Sequence, residues 1–215
     1  MTRKRRALSG RSGQSAPDPG GAGTDRIRAF VALEVDEALR RRLAAAVEGL
    51  RPLIPGLRWV PPEQAHLTLR FLGHAPSAVL DALRDPLAAA AAASAPRPVR
   101  VSGLGVFPAS ARARVLWIGI APTEGIVELQ ATCEAAAVGA GFEPERRPFR
   151  CHLTLGRWRE PARRPALPPL DLGRAQFERL VLFRSQLHPK GAVYTPLASF
   201  PLGRTGCYDG EVDPA

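Results

Sequence analysis

His66-Leu67-Thr68-Leu69 recurs unchanged as His152-Leu153-Thr154-Leu155, so the chain holds two copies of a tetrapeptide built from an imidazole, a hydroxyl and two leucines. Successive side chains of an extended strand point to opposite faces, which puts His66 and Thr68 on one face and Leu67 and Leu69 on the other. The leucines read as core, the polar pair as the lining of a cleft. An unperturbed imidazole titrates at pH ~6.5, so near neutrality one copy can accept a proton while the other donates one. Threonine hydroxyls two residues on can donate hydrogen bonds to nonbridging phosphate oxygens, where negative charge grows in a transition state. Opening a cyclic phosphodiester with water calls for that set: one group takes a proton from the water and another gives one to the departing sugar oxygen. The chemistry needs no metal, and no HExxH or carboxylate cluster flanks either histidine. A single such histidine would read as a strand residue satisfied by a backbone carbonyl. Exact repetition favours function, provided the two halves are related by an approximate two-fold axis that makes the copies converge.

The elements that must position these residues follow from periodicity. Ile27 to Val35 alternates as a strand, and Asp36 caps a Leu/Ala/Arg-rich helix ending near Gly49. Leu57 to Val60 and Gln64 to Leu72 read as strands, Ser77 caps an alanine-rich helix to about Ala93, and Arg97 to Val106 is a strand. The order then repeats: a strand Arg114 to Ile120, a helix from Thr123 to about Ala140, and a strand Cys151 to Trp158. Pro161 to Pro169 is expected as a surface loop, and two strands, Phe177 to Leu187 and Ala192 to Leu202, flank a His188-Pro189-Lys190-Gly191 turn.

The chain has 215 residues, 45% of them hydrophobic, enough for one sizeable core. Its 30 basic residues against 20 acids give a net charge of +10, with Lys4 and Lys190 the only lysines. Five bases and one acid fall in residues 1–24 and three acids after 207, which leaves +9 on residues 25–207, so a phosphate-rich partner is favoured by the fold itself. No apolar run is long enough to span a bilayer, and the three cysteines, Cys133, Cys151 and Cys207, show no zinc or disulfide spacing. A cytoplasmic monomer with no membrane association, metal or cofactor is expected. Residues 1–24 read as a disordered basic tail, 25–205 as the folded domain with halves about 25–110 and 111–205, and 206–215 as a C-terminal tail.

Arg28-Ala29-Phe30-Val31-Ala32, the run His66 to Gly73, Arg114-Val115-Leu116-Trp117, Phe149 to Arg157 and the closing Phe200-Pro201-Leu202 together resemble the LigT-type RNA 2′,3′-cyclic phosphodiesterases, also called 2′-5′ RNA ligases, of the two-histidine phosphoesterase superfamily. The resemblance spans roughly Arg26 to Leu202, and it departs at Cys151, where the family commonly has proline. It implies an α+β fold of two pseudo-two-fold-related lobes, each an antiparallel sheet with helices on its outer face, around a central cleft. It implies hydrolysis of RNA 2′,3′-cyclic phosphate ends to 2′-phosphate, with RNA or a cyclic nucleotide as partner. His66 would be the proton donor and His152 the proton acceptor, an assignment that the near-symmetry of the motifs does not make by itself. Thr68, Thr154 and Arg157 would bind the substrate. Reversible 2′-5′ ligation is the same chemistry with a ribose hydroxyl in place of water, and a noncatalytic RNA 3′-end-binding module is the reading from another class. Phe71 counts to the leucine face and is expected in the core, Arg70 at the surface, Gly103-Leu104-Gly105 as a bend, and Cys151 beside the cleft as a modifiable thiol.

Overall fold

The structure is a computed structural model describing residues 26–96, 98–189 and 191–203; the two expected tails lie outside the described residues. β1 (Arg26–Val35) is buried from Ala29 to Leu33, a strand covered on both faces. Asp36 ends it and caps α1 (Glu37–Leu50), its carboxylate accepting from the Leu39 amide and, through the second oxygen, from the Gln176 amide at 3.2 Å. Leu39, Leu43, Val47 and Leu50 recur at helical spacing and form the buried stripe of α1. Next come β2 (Arg58–Trp59), a single 3-10 turn at Pro62–Gln64, and β3 (His66–Pro76).

The single alanine-rich helix expected from Ser77 is in fact two, α2 (Ser77–Asp81) and α3 (Arg84–Ala93). Pro86 accounts for the break. It has no amide hydrogen and its ring would press on the Ala82 carbonyl, so a new helix starts with the proline in its first turn. β4 (Pro98–Phe107) and β5 (Arg112–Ile120) lead to α4 (Glu124–Gly139), capped by Thr123. β6 (His152–Arg163), β7 (Asp171–His188) and β8 (Gly191–Pro201) complete the fold. β6 therefore runs through Pro161, where a loop was expected. β2 covers β6 only at Gly156 and Arg157, so Pro161 lies where no second strand needs its missing donor, and its carbonyl accepts from Arg112 Nη2 at 3.0 Å.

Among the described residues all strand pairs are antiparallel, in one eight-stranded sheet ordered β2-β6-β5-β4-β7-β1-β3, with β8 also on β7. A separate sheet for each half was expected, but β4 and β7 pair along Pro98–Ser102 and join the two. The 18-residue β7 is long enough to pair with β4 first and with β1 and β8 afterwards. Each half of the chain thus supplies a strand to the other: β4 lies on β5, and β7 on β1. β3 and β6 sit near opposite ends of the strand order yet come within 8 Å at Cα, so the sheet curls back on itself and brings the two motif strands together. α3 packs on α4 and on β8, α4 on β3, and α1 on β7. Among the described residues no helix is long and apolar enough to cross a membrane.

Candidate active site

The alternation expected of the repeated motif holds in both copies. Leu67 and Leu153 are fully buried and Leu69 and Leu155 nearly so, while His66, Thr68, His152 and Thr154 are half-buried on the opposite face. Each motif then carries the same irregularity. Val31 pairs with Arg70 and Ala32 with Thr68, leaving Leu69 as an extra residue; Leu116 pairs with Gly156 and Trp117 with Thr154, leaving Leu155 extra. Such a bulge reverses the face of the residues that follow it, up to the next irregularity of the pairing. Arg70 consequently turns into the protein, 6% exposed, and Phe71 turns to the histidine face, 38% exposed, each the reverse of its expected position. In the second copy the matching bulge turns Arg157 outward on the face of His152 and Thr154.

Arg70 is held by Glu134 of α4 through an ion pair of 2.7 Å and donates to the Phe71 and Glu143 carbonyls. Glu134 also accepts from the Glu145 amide at 2.9 Å, so one buried pair ties β3 to α4 and to the segment leading into His152. Both histidines are oriented in the same way. His66 Nδ1 lies 2.8 Å from the Gln64 carbonyl and His152 Nδ1 2.7 Å from that of Arg150, in each case two residues upstream. A carbonyl oxygen only accepts, so Nδ1 carries the hydrogen and Nε2 is left for proton transfer.

Aromatic rings wall both imidazoles. Phe30 lies 4.7 Å and Tyr194 5.1 Å from the His66 ring, and Phe30 stacks on Phe71 at 5.6 Å. His152 meets Phe107 edge-on at 5.0 Å, with Trp117 beyond at 6.2 Å. Gly105 does more than bend the chain: it is the cross-strand partner of Trp117, and a Cβ there would meet the indole at 2.1 Å. The bend is at Gly103, whose φ of +78° suits glycine. Local sequence pattern gave no sign of Tyr194 or Phe107 at the site, since distant strands bring them there.

Burial pushes the His66 pKa down from 6.5 to about 4; the Gln64 carbonyl opposes this, and the charges of Arg157 and His152 add to it. His152 is also lowered, by burial first and then by Arg157 against the support of the Arg150 carbonyl. One guanidinium therefore acts on both imidazoles. Cys151, a free thiol half-buried beside His152, is pushed up to about 11 by burial. His74 lies exposed on β3, and His188 ends β7 in the turn before β8. Among the described residues no three His, Cys, Asp or Glu side chains gather as a metal site.

A family model described as LigT like Phosphoesterase matches residues 33–117 and again residues 118–194. The chain belongs to that family. Among its relatives, an RNA 2′,3′-cyclic phosphodiesterase of Thermus thermophilus is 38% identical over 82% of this chain and 90% of its own length. Another of that name, from Methanothermobacter thermautotrophicus, is 31% identical over 82% of this chain and all of its own. A crystal structure of a Thermus thermophilus protein superposes with a TM-score of 0.73 at 35% identity, covering 82% of this chain and 98% of the other. Escherichia coli LigT complexed with 3′-AMP shares the fold, with a TM-score of 0.73 at 24% identity over 84% of this chain and all of that one. The two matches to one LigT-like model meet inside β5.

Proposed function

We propose that this LigT-like phosphoesterase hydrolyses RNA 2′,3′-cyclic phosphate ends to 2′-phosphate without a metal. The observation that carries the reading is the matched pair of imidazoles, each tied through Nδ1 to a carbonyl two residues upstream and each acted on by Arg157. His152 Nε2 takes a proton from water as the water oxygen bonds to phosphorus. The bond from phosphorus to the 3′ oxygen breaks, and His66 Nε2 gives its proton to that oxygen. The product is a 2′-phosphomonoester beside a free 3′ hydroxyl, and both imidazoles return to their starting states by exchange with solvent. Thr68 and Thr154 hold the nonbridging oxygens as their charge grows, and Arg157 binds the substrate beside them.

The free protein favours neutral imidazoles, which suits His152 as a base. His66 acquires its proton as the anionic phosphate enters beside its ring and opposes the burial and the Arg157 charge that lower its pKa. Strand, helix and motif strand recur in that order as β1, α1, β3, with the short β2 intervening, and as β5, α4, β6, which supports two pseudo-two-fold-related halves facing a central cleft. The protein acts as a monomer in a reducing cytoplasm, where Cys133 and Cys151 remain thiols. Incubation with a cyclic-phosphate-ended oligonucleotide in EDTA, followed by identification of the terminal phosphate, tests the reading. A 2′-phosphate is expected; an unchanged substrate, or activity that returns only with added metal, would overturn it.

A further inference from the structure

We propose that Arg58 and Arg157 together form a second phosphate site, for the phosphodiester that joins the terminal nucleotide of an RNA 3′ end to the nucleotide before it. The proposal rests on the function above and makes it specific to RNA ends over cyclic mononucleotides. Arg58 of β2 is the direct partner of Arg157 on β6, Arg157 is the partner of Val115 on β5, and Val115 is the partner of Phe107 on β4. Directly paired antiparallel residues share a face, so these four form one row across the sheet. Phe107 lies against the His152 ring, which fixes the row on the catalytic face. Arg58 is thus one strand spacing, about 4.8 Å, further from the histidines than Arg157, at the edge of the sheet.

Two like charges directly opposite each other destabilise a strand pair. Among the described residues neither arginine has an ion pair. Arg58 instead donates through Nη2 to the Pro189 carbonyl in the turn between β7 and β8, so an acceptor oxygen already occupies part of its fork. A guanidinium carries five N–H donors, and one carbonyl leaves most of them open. A phosphodiester bridging the two forks relieves the repulsion and supplies the missing acceptors. A 2′,3′-cyclic mononucleotide has no such phosphate; a dinucleotide ending in the same cyclic phosphate has one.

The test compares these two substrates, with the same terminal nucleoside, on wild-type protein, Arg58→Ala and Arg58→Lys. Arg58→Ala is expected to lower kcat/KM for the dinucleotide about tenfold. It should leave the mononucleotide within about twofold, since Arg58 contributes only to the extra phosphate. Arg58→Lys should keep part of the dinucleotide advantage, and that advantage in the wild type should shrink as salt is raised. Equal losses on both substrates would mean that Arg58 only shapes the fold or the reacting site, and no loss on either would mean that it is a solvated surface charge; both results overturn the second site. If the wild-type protein hydrolyses neither substrate, the function proposed above falls and this inference with it.

Discussion

Titrating the free protein from pH 7.5 down to pH 4 perturbs His66 before any substrate is present. Its imidazole is pushed from 6.5 to about 4, chiefly by burial among Phe30, Phe183 and Tyr194 and further by Arg157 and His152. A displacement of that size corresponds to about 3 kcal/mol in favour of the neutral ring, and at pH 7 only ~1 in 1,000 molecules carries the proton there. The folded-state value lies below the unfolded one, so the unfolded chain binds the extra proton between about pH 6.5 and pH 4. Stability from this group is therefore intact above pH 6.5, declines as pH falls through the window, and is lost by about 3 kcal/mol below pH 4. NMR titration of the ring, assigned by its absence in His66→Gln, reads the pKa directly. Urea unfolding of both proteins at pH 7.5 and 4.5 reads the linked stability, with His66→Gln the less sensitive to acid. A His66 ring that titrates at 6.5 or above would refute the reasoning that burial and Arg157 control it.

Arg157→Ala removes a positive charge acting on both imidazoles, so the pKa values of His66 and His152 should both rise in the same NMR titration, and kcat/KM should reach its optimum at higher pH. Glu134→Ala leaves the Arg70 guanidinium buried without its carboxylate and should cost about 3–5 kcal/mol in urea unfolding; Arg70→Met with Glu134→Leu should recover much of that loss. Gly105→Ala forces the Trp117 indole off its strand partner, and both the near-ultraviolet circular dichroism of the indole and turnover should fall.

The repeated motif was legible because its alternation is local: His66 and Thr68 against Leu67 and Leu69 need only a strand. Phe71 and Arg70 were not, because the extra residue at Leu69 exchanges their faces, and nothing in a run of alternating residues announces a bulge. The same bulge at Leu155 is what sets Arg157 on the face of His152. Pro86 breaks the alanine helix by a rule that the sequence already contained, masked by the high helix propensity of its neighbours. The exchange of β4 and β7 between the halves rests on pairing between residues such as Val99 and Ala175, far apart in the chain, and local periodicity carries no signal for it. The aromatic wall of Phe107, Phe183 and Tyr194 follows from that exchange.

The central claim, that two histidines divide one proton transfer to water and one to the leaving oxygen, is tested most directly by changing the leaving atom. His66→Ala and His152→Ala are assayed on a cyclic substrate with its normal 3′ oxygen and on one carrying sulfur there, which departs without a proton. On the oxygen substrate each variant should lose on the order of 10²-fold or more in turnover. On the sulfur substrate His66→Ala should recover most of its loss, while His152→Ala, still lacking a base for water, should recover little. Rescue of His152→Ala alone would reverse the assignment, and full activity of either variant on the oxygen substrate would contradict the account.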